Sequence, residues 1–303
     1  MSQSKGICAF AYNNEEINYV LMAYICALHV KTHLKNNDFC LITDEGSLSY
    51  AKQLISVKNL NRVFDTVLLT EDPQEESNFQ NVRTHYDSPW TEFRAPFINN
   101  NKHEVFEISP YDKTILIDLD YLVMSDMLDS YFELNAPVSM FSNAKNVRGD
   151  NALWREIWLH DLGIKMKWST VVAFDKSEAA KTFFDLWQYI KENYTYFKFL
   201  YKFPGTLYRT DFCVSIACHI MSNSSNADWH DFKDTMYFSD QKDEIYDFDA
   251  NSGTYCILAN NQKENWKDVP VVWNDVDLHM MNKRSVDRQS KKIIEYYEKK
   301  LGL

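Results

Sequence analysis

An α/β fold, with a parallel sheet covered by helices on both faces, is predicted by three features of this chain. Short apolar runs alternate with amphipathic stretches through the first half, an order that lays strands side by side and folds the connecting helices over them. Of the 303 residues, 45% are hydrophobic and 15% aromatic, enough to fill the large core such a sheet requires. One apolar run, Thr114-Ile115-Leu116-Ile117, stops on Asp118 and Asp120, where a parallel sheet presents ligand-binding groups beyond its C-terminal strand ends.

The elements follow in order. Gly6 to Ala11 reads as a strand and 15–34 as a helix, whose longest apolar run, Tyr19 to Val30, is too short to span a bilayer. Phe39 to Thr43 is a strand, 47–56 a helix and Val63 to Leu69 a strand; acidic Thr70 to Ser77 is a loop before the strand that carries the Asp pair. The second half offers strands at Val138 to Ser142 and Val171 to Phe174, and helices from Glu178 to Tyr194 and Asp211 to Met221. Late strands follow near Tyr255 to Leu258 and Val269 to Trp273. Phe238 to Ala250 is expected to be a loop; its Asp240, Asp243, Asp247 and Asp249 lack the ligand and glycine spacing of a calcium loop. Val286, Ile293, Tyr297 and Leu301 fall at helical spacing on the tail. No internal repeat or low-complexity linker divides the chain, so 1–282 is expected to form one domain followed by a basic helix at 283–303.

Composition narrows the function. The net charge is −11, which disfavours long-range attraction to nucleic acid or anionic lipid. From Lys283 to Leu303, seven Lys/Arg face three acids, a local +4 that leaves −15 elsewhere; the expectation is a capping helix with a solvated basic face. Only seven glycines occur and none forms Gly-x-Gly. Rossmann and P-loop sites, which need glycine for backbone to approach phosphate, are therefore disfavoured, as are nucleotidyltransferases with a glycine-rich first loop. Phosphate must be met by a cation and side chains. The six cysteines, at 8, 26, 40, 213, 218 and 256, form no Cys-x-x-Cys pair and sit mostly in apolar runs, as reduced thiols do. With no basic-then-apolar leader at the start, the expectation is a soluble cytoplasmic enzyme in which Asn193-Tyr194-Thr195 and Asn223-Ser224-Ser225 are chance glycosylation patterns.

Asp118 and Asp120 are expected on one face of their strand, with Leu119 turned into the core. Two carboxylates side by side repel unless a cation sits between them, which makes the pair a metal-site candidate. His29 and His33, one helical turn apart without a carboxylate partner, read as ordinary helix residues. Trp168 and Trp90 could stack on a sugar or base, although core packing explains a Trp as well. Asp211 precedes an apolar helix in the manner of an N-cap.

Tyr111, Lys113, Asp118, Asp120, Leu122, Val123, Asp126 and Phe132 reproduce the line of the Asp-x-Asp motif in the glycogenin-like glycosyltransferases, family eight, and the segment resembles them. The resemblance implies a GT-A fold, a single domain with a mixed central sheet flanked by helices. It further implies a nucleotide-sugar-binding half at 1–132 and an acceptor-binding half at 133–282. It extends to Ile7 to Asn14 and, near the C-terminus, to Asp277 to Lys283. What it implies for the site is Asp118, Asp120 and His279 on Mn²⁺ or Mg²⁺, Lys102 and Lys283 on the diphosphate, and Ala11, Tyr12, Asn13 and Tyr19 on the nucleotide. Asp211 would touch the donor sugar, and Arg284 could stand in for Lys283. The implied reaction is transfer from a UDP-sugar, with retention, to a saccharide or glycan hydroxyl; a hydroxymethylated base in DNA is the alternative acceptor. Two departures put substrate identity in question: Trp168-Ser169-Thr170 where the family reads Asn-Ser-Gly, and Asp211-Phe212 where it reads Asp-Gln. They also keep open a non-catalytic nucleotide-sugar-binding protein.

Overall fold

A computed structural model describes residues 3–71, 82–88, 90–96, 101–152, 158–159, 163–203, 207–222, 231–261 and 267–303. The Asn223 glycosylation pattern and most of the acidic stretch 70–77 lie outside these residues. The strands are β1 (Lys5–Ala11), β2 (Phe39–Thr43), β3 (Thr66–Leu69), β4 (Val82–Tyr86), β5 (Glu92–Pro96), β6 (Lys113–Ile117), β7 (Tyr121–Leu122), β8 (Val138–Phe141) and β9 (Ala144–Asn146). They continue as β10 (Trp158–Leu159), β11 (Ile164–Lys165), β12 (Trp168–Asp175), β13 (Met236–Phe238), β14 (Glu244–Asp249), β15 (Thr254–Asn261), β16 (Lys267–Trp273) and β17 (Leu278–His279). The helices are α1 (Tyr19–His33), α2 (Glu45–Leu54), α3 (Val57–Val63), α4 (Val105–Ile108), α5 (Met127–Tyr131), α6 (Glu178–Glu192), α7 (Tyr194–Tyr201), α8 (Thr210–Met221) and α9 (Lys283–Leu301).

The central sheet runs β3-β2-β1-β6-β12-β8. Its first four strands are parallel, as the alternation predicts, and β12 and β8 extend it antiparallel, giving the mixed sheet flanked by helices. Side-chain alternation divides the core into two layers. Ile7, Ala9, Ile115 and Ile117 face a layer roofed by α1 and α9 residues such as Tyr24, Val286 and Tyr297. Cys8, Phe10, Leu116 and Val172 face the other, against Phe183, Trp187 and Ile216 of α6 and α8. Both faces being covered, β1 and β6 read as unbroken apolar runs. The cysteines are all free, and among the described residues no helix is long and apolar enough to cross a membrane.

Helix starts follow local capping. The helix expected from 15 begins at Tyr19 because the Asn18 side chain accepts from Leu21 N (3.0 Å); the one expected from 47 begins at Glu45, with Asp44 accepting from Ser47 N (2.8 Å). Val63 to Leu69 is not wholly strand: Ser56 caps α3, which uses Val63, and β3 keeps only Thr66–Leu69. The loop expected at 238–250 contains β14, paired antiparallel with β15 through a bulge between Ile245 and Asp247. In the tail, α9 buries Val286, Ile293 and Tyr297 as its spacing predicts.

Candidate functional site

Asp118 and Asp120 do not sit on the strand. β6 ends at Ile117, and the two aspartates occupy a turn closed by Tyr121 N donating to Asp118 O (3.0 Å). Leu119 is buried as expected, and Asp118 N donates to Thr170 O of β12 (2.8 Å), which ties the turn to the sheet. After the turn, β7 pairs antiparallel with β17, setting His279 opposite Tyr121, while Met280 N donates to Asp120 O (2.7 Å). Backbone pairing thus carries a histidine from 159 residues further along onto the aspartate turn: the imidazole Nε2 lies 3.4 Å from Asp120 Oδ1, and its Nδ1 lies 3.4 Å from Thr170 Oγ1.

One ligand atom from each of Asp118, Asp120 and His279 lies within 4.8 Å of the others. Donors about 2.1 Å from a common ion are separated by roughly 3–4 Å, so slight adjustment brings the three onto one cation. Two carboxylates and an imidazole, with no thiolate, suit a hard divalent ion such as Mg²⁺ or Mn²⁺.

Two lysines meet the same carboxylates. Lys102, buried in a 3₁₀ turn ahead of α4, pairs with Asp118. Lys283, in the first turn of α9, pairs with Asp120 Oδ2 at 2.5 Å. His279 ends β17 and Lys283 opens α9, so the two converge on Asp120 from separate elements. Burial pushes the Asp118 carboxyl up, with Lys102 opposing and the Asp120 charge adding to the rise. Burial works on Asp120 in the same sense, but Lys283 and His279 overcome it and hold that carboxyl well below the usual range. Lys283 is raised in turn: desolvation would lower it, and Asp120 and Tyr19 outweigh that effect.

The end of β1 lies beside this turn, since β1 and β6 are sheet neighbours. Ala11 O accepts from Thr43 Oγ1 (2.5 Å), Tyr12 OH bonds Thr70 Oγ1 (2.9 Å), and Asn13 Oδ1 accepts from Val20 N (3.0 Å). The first two bonds tie the end of β1 to its sheet neighbours, and the last fixes the start of α1, where Tyr19 lies in the field of Lys283 and Asp120; burial raises its hydroxyl pKa. Asp211 is not an N-cap. It is the second residue of α8, and its Oδ1 accepts from Ser169 N (3.0 Å) and Ser169 Oγ (2.8 Å), its Oδ2 from Arg209 (3.1 Å). Burial would raise this carboxyl, but Arg209 and the Ser169 bonds keep it low.

Arg284 is not a substitute for Lys283, because it pairs with Glu16 and lies over the Phe93 ring at 4.5 Å. Trp168 is core, packed on Phe238 at 5.3 Å, and Trp90 is exposed. His29 is a buried structural residue between Ile25 O and Tyr255 OH, each at 2.8 Å. Sequence reading missed Thr170 and Ser169, which hold His279 and Asp211. It also missed the β4–β5 hairpin, where Arg83 donates to Tyr208 O (3.0 Å) and lies in the field of Asp211, and His85 lies in the fields of Lys283 and Asp120. The hairpin is held to α9 by Asn282 donating to Asp87 O (3.1 Å) and by the Arg288–Asp87 pair. Arg-Thr-His at 83–85, two polar residues at period two, was the available signal.

No family model matches the chain, and no curated protein does. Among solved structures it is similar to the apo form of the glycosyltransferase GlyE of Streptococcus pneumoniae, at 10% identity over 72% of this chain and 44% of that one, with a TM-score of 0.39. It is similar to the galactosyltransferase LgtC in complex with donor and acceptor sugar analogues, at 11% identity over 70% of each chain and a TM-score of 0.44. A third is apo mouse xyloside xylosyltransferase 1, at 13% identity over 72% of this chain and 82% of that one, TM-score 0.41. The match spans less than half of GlyE. All three are glycosyltransferases, but likenesses this distant carry no functional weight; the site's own residues do.

Proposed function

We propose that this protein is a metal-dependent glycosyltransferase that moves a sugar from a nucleotide diphosphate, UDP by resemblance, to a saccharide or glycan hydroxyl. The observation that carries the reading is the convergence of Asp118, Asp120 and His279, donor atoms within 4.8 Å, with Lys102 and Lys283 on the same carboxylates. Asp118, Asp120 and His279 would hold Mn²⁺ or Mg²⁺. When bound, such an ion supplies positive charge against that gained by the departing diphosphate as the sugar takes on oxocarbenium character. Lys283 and Lys102 add fixed positive charge at the phosphate oxygens, and lying in a largely buried site they act with little screening. Ala11, Tyr12, Asn13 and Tyr19, at the end of β1 and the start of α1, line the nucleotide side. Asp211, kept ionised by Arg209 and Ser169, accepts hydroxyl hydrogen bonds from the donor sugar and orients its anomeric carbon. Retention of configuration is the stereochemical outcome implied by the family resemblance.

A glycan acceptor is favoured over modified DNA by the state of the basic tail. Arg288 pairs with Asp87 and Glu244, and Lys292 pairs with Asp247 at 2.6 Å, so these cations already have protein partners. Calorimetry of UDP binding with and without Mn²⁺ tests the site. UDP should bind tightly only with Mn²⁺, and His279→Ala should weaken both together because they share a coordination shell; undiminished Mn²⁺-dependent affinity in His279→Ala would remove His279 from the site.

A further inference from the structure

We propose that α7 docks the protein on an anionic lipid surface. The helix stands apart from the rest of the chain in two independent ways. The first is exposure. Tyr196, Phe199 and Leu200, spaced i, i+3 and i+4 and therefore on one face, are 62%, 80% and 51% exposed. Its opposite face is ordinary core: Tyr194 and Phe197 are buried, with Tyr194 packed on Phe203 and Tyr208 at 5.1 and 5.2 Å. The helix is thus firmly seated and turns large apolar groups to solvent in a group, which isolated surface residues do not do.

The second is charge. The chain holds 43 Asp and Glu among 303 residues, yet from Asn193 to Thr210 there is not one, against Lys198, Lys202 and Arg209. Lys198 and Lys202 pair with no carboxylate among the described residues. Lys202 closes the helix in the left-handed region at φ 51°, where glycine is usual, so a cation is kept beside the exposed rings at some conformational cost.

Aromatic and aliphatic side chains flanked by lysines, with acids excluded, complement a bilayer interface: the rings enter the boundary between headgroups and acyl chains, and the ammonium groups stay among lipid phosphates. The net charge of −11 disfavours long-range attraction to such a surface, so the contact is short-range and confined to this acid-free face; a two-fold self-contact there would set Lys198 and Lys202 against the same lysines of a second copy, which like charge opposes. The docked helix is linked to the site through Asp211. Tyr194 OH donates to Leu207 O (3.1 Å) and accepts from Arg209 N (3.0 Å), and Arg209 bonds Asp211. A lipid-anchored acceptor at the same surface would be brought near the site, a corollary that rests on the transferase reading; the docking itself does not.

The test is flotation of the full chain with vesicles of phosphatidylcholine alone and of phosphatidylcholine mixed with phosphatidylglycerol. Binding is expected to the mixed vesicles, to fall steeply with salt, and to drop roughly tenfold or more in Phe199→Ser/Leu200→Ser and in Lys198→Glu/Lys202→Glu. Melting temperatures of both variants should match wild type, because the substituted groups are on the surface. A Phe199→Trp variant should show blue-shifted emission with mixed vesicles only. Absence of flotation, flotation unchanged in both variants, or concentration-dependent dimers lost in the same variants would each overturn the proposal. None of these readouts needs turnover, so failure here is distinguishable from failure of the transferase reading.

Discussion

Asp120→Asn is the substitution that separates the site's chemistry from its architecture. In this buried pocket two electrostatic effects oppose each other. At an effective dielectric near 20, the 2.5 Å pair with Lys283 contributes about 6–7 kcal/mol of attraction, and the facing carboxylate of Asp118, within 4.8 Å, contributes about 3–4 kcal/mol of repulsion. The amide removes both, and its oxygen still accepts from Lys283, returning about 1–2 kcal/mol. Relief of the burial cost offsets part of what remains, so the net destabilisation is at most about 1–2 kcal/mol, a fall of roughly 2–3 °C in Tm for a chain of 303 residues. Turnover should suffer far more, since one of three metal donors loses its charge: a loss of about 4 kcal/mol in transition-state stabilisation, near a thousandfold in kcat/KM. The assay is Mn²⁺-dependent release of nucleotide, followed alongside a thermal melt. Activity within about tenfold of wild type, with an unchanged Mn²⁺ requirement, would refute the metal assignment.

Three further outcomes are expected. Lys102→Ala should raise the donor KM by roughly tenfold through loss of a charge-assisted contact to phosphate, and lower Tm by a few degrees through loss of its pair with Asp118; a normal KM beside that loss of Tm would make Lys102 a structural counterion only. His29 is held down to about 3 by burial, so folding is favoured above its ordinary value near 6.5 and that contribution, on the order of 5 kcal/mol, is lost progressively as pH falls toward 3. His29→Gln, which can still bond Tyr255 OH, should flatten the decline of Tm between pH 6.5 and 3, and an unchanged profile would show that other groups govern acid unfolding. Gly6→Ala places a methyl carbon 2.3 Å from the Tyr111 ring, which is fixed in the core, and should cost about 1–3 kcal/mol by chemical denaturation; no measurable cost would mean that β1 and Tyr111 move apart freely.

Much of this was legible because it is local. β2 matches its apolar run residue for residue, β1 and β12 extend theirs, and the Asp pair and Lys283 stood out as motif residues. What escaped was set by neighbours distant in sequence. Asp118 and Asp120 share a site through a turn pinned by Thr170 and β17, not through strand alternation. β14 was hidden because its bulge breaks the period of two and its aspartates mimic a loop: Asp247 meets Lys292 of α9, and Asp243, just ahead of the strand, accepts from Asn260 N at 2.7 Å. The partners of Arg284 and Arg288, Glu16 and Asp87, lie about two hundred or more residues away, and no spacing rule reaches them.

The central claim is met most directly by incubating the protein with a panel of nucleotide sugars and measuring free nucleotide, with Mn²⁺ and with chelator. Release from at least one donor, dependent on Mn²⁺ and lost in Asp120→Asn, is the predicted result. No release from any donor, or release that the chelator and Asp120→Asn leave unchanged, would contradict a metal-dependent glycosyltransferase built on Asp118, Asp120 and His279.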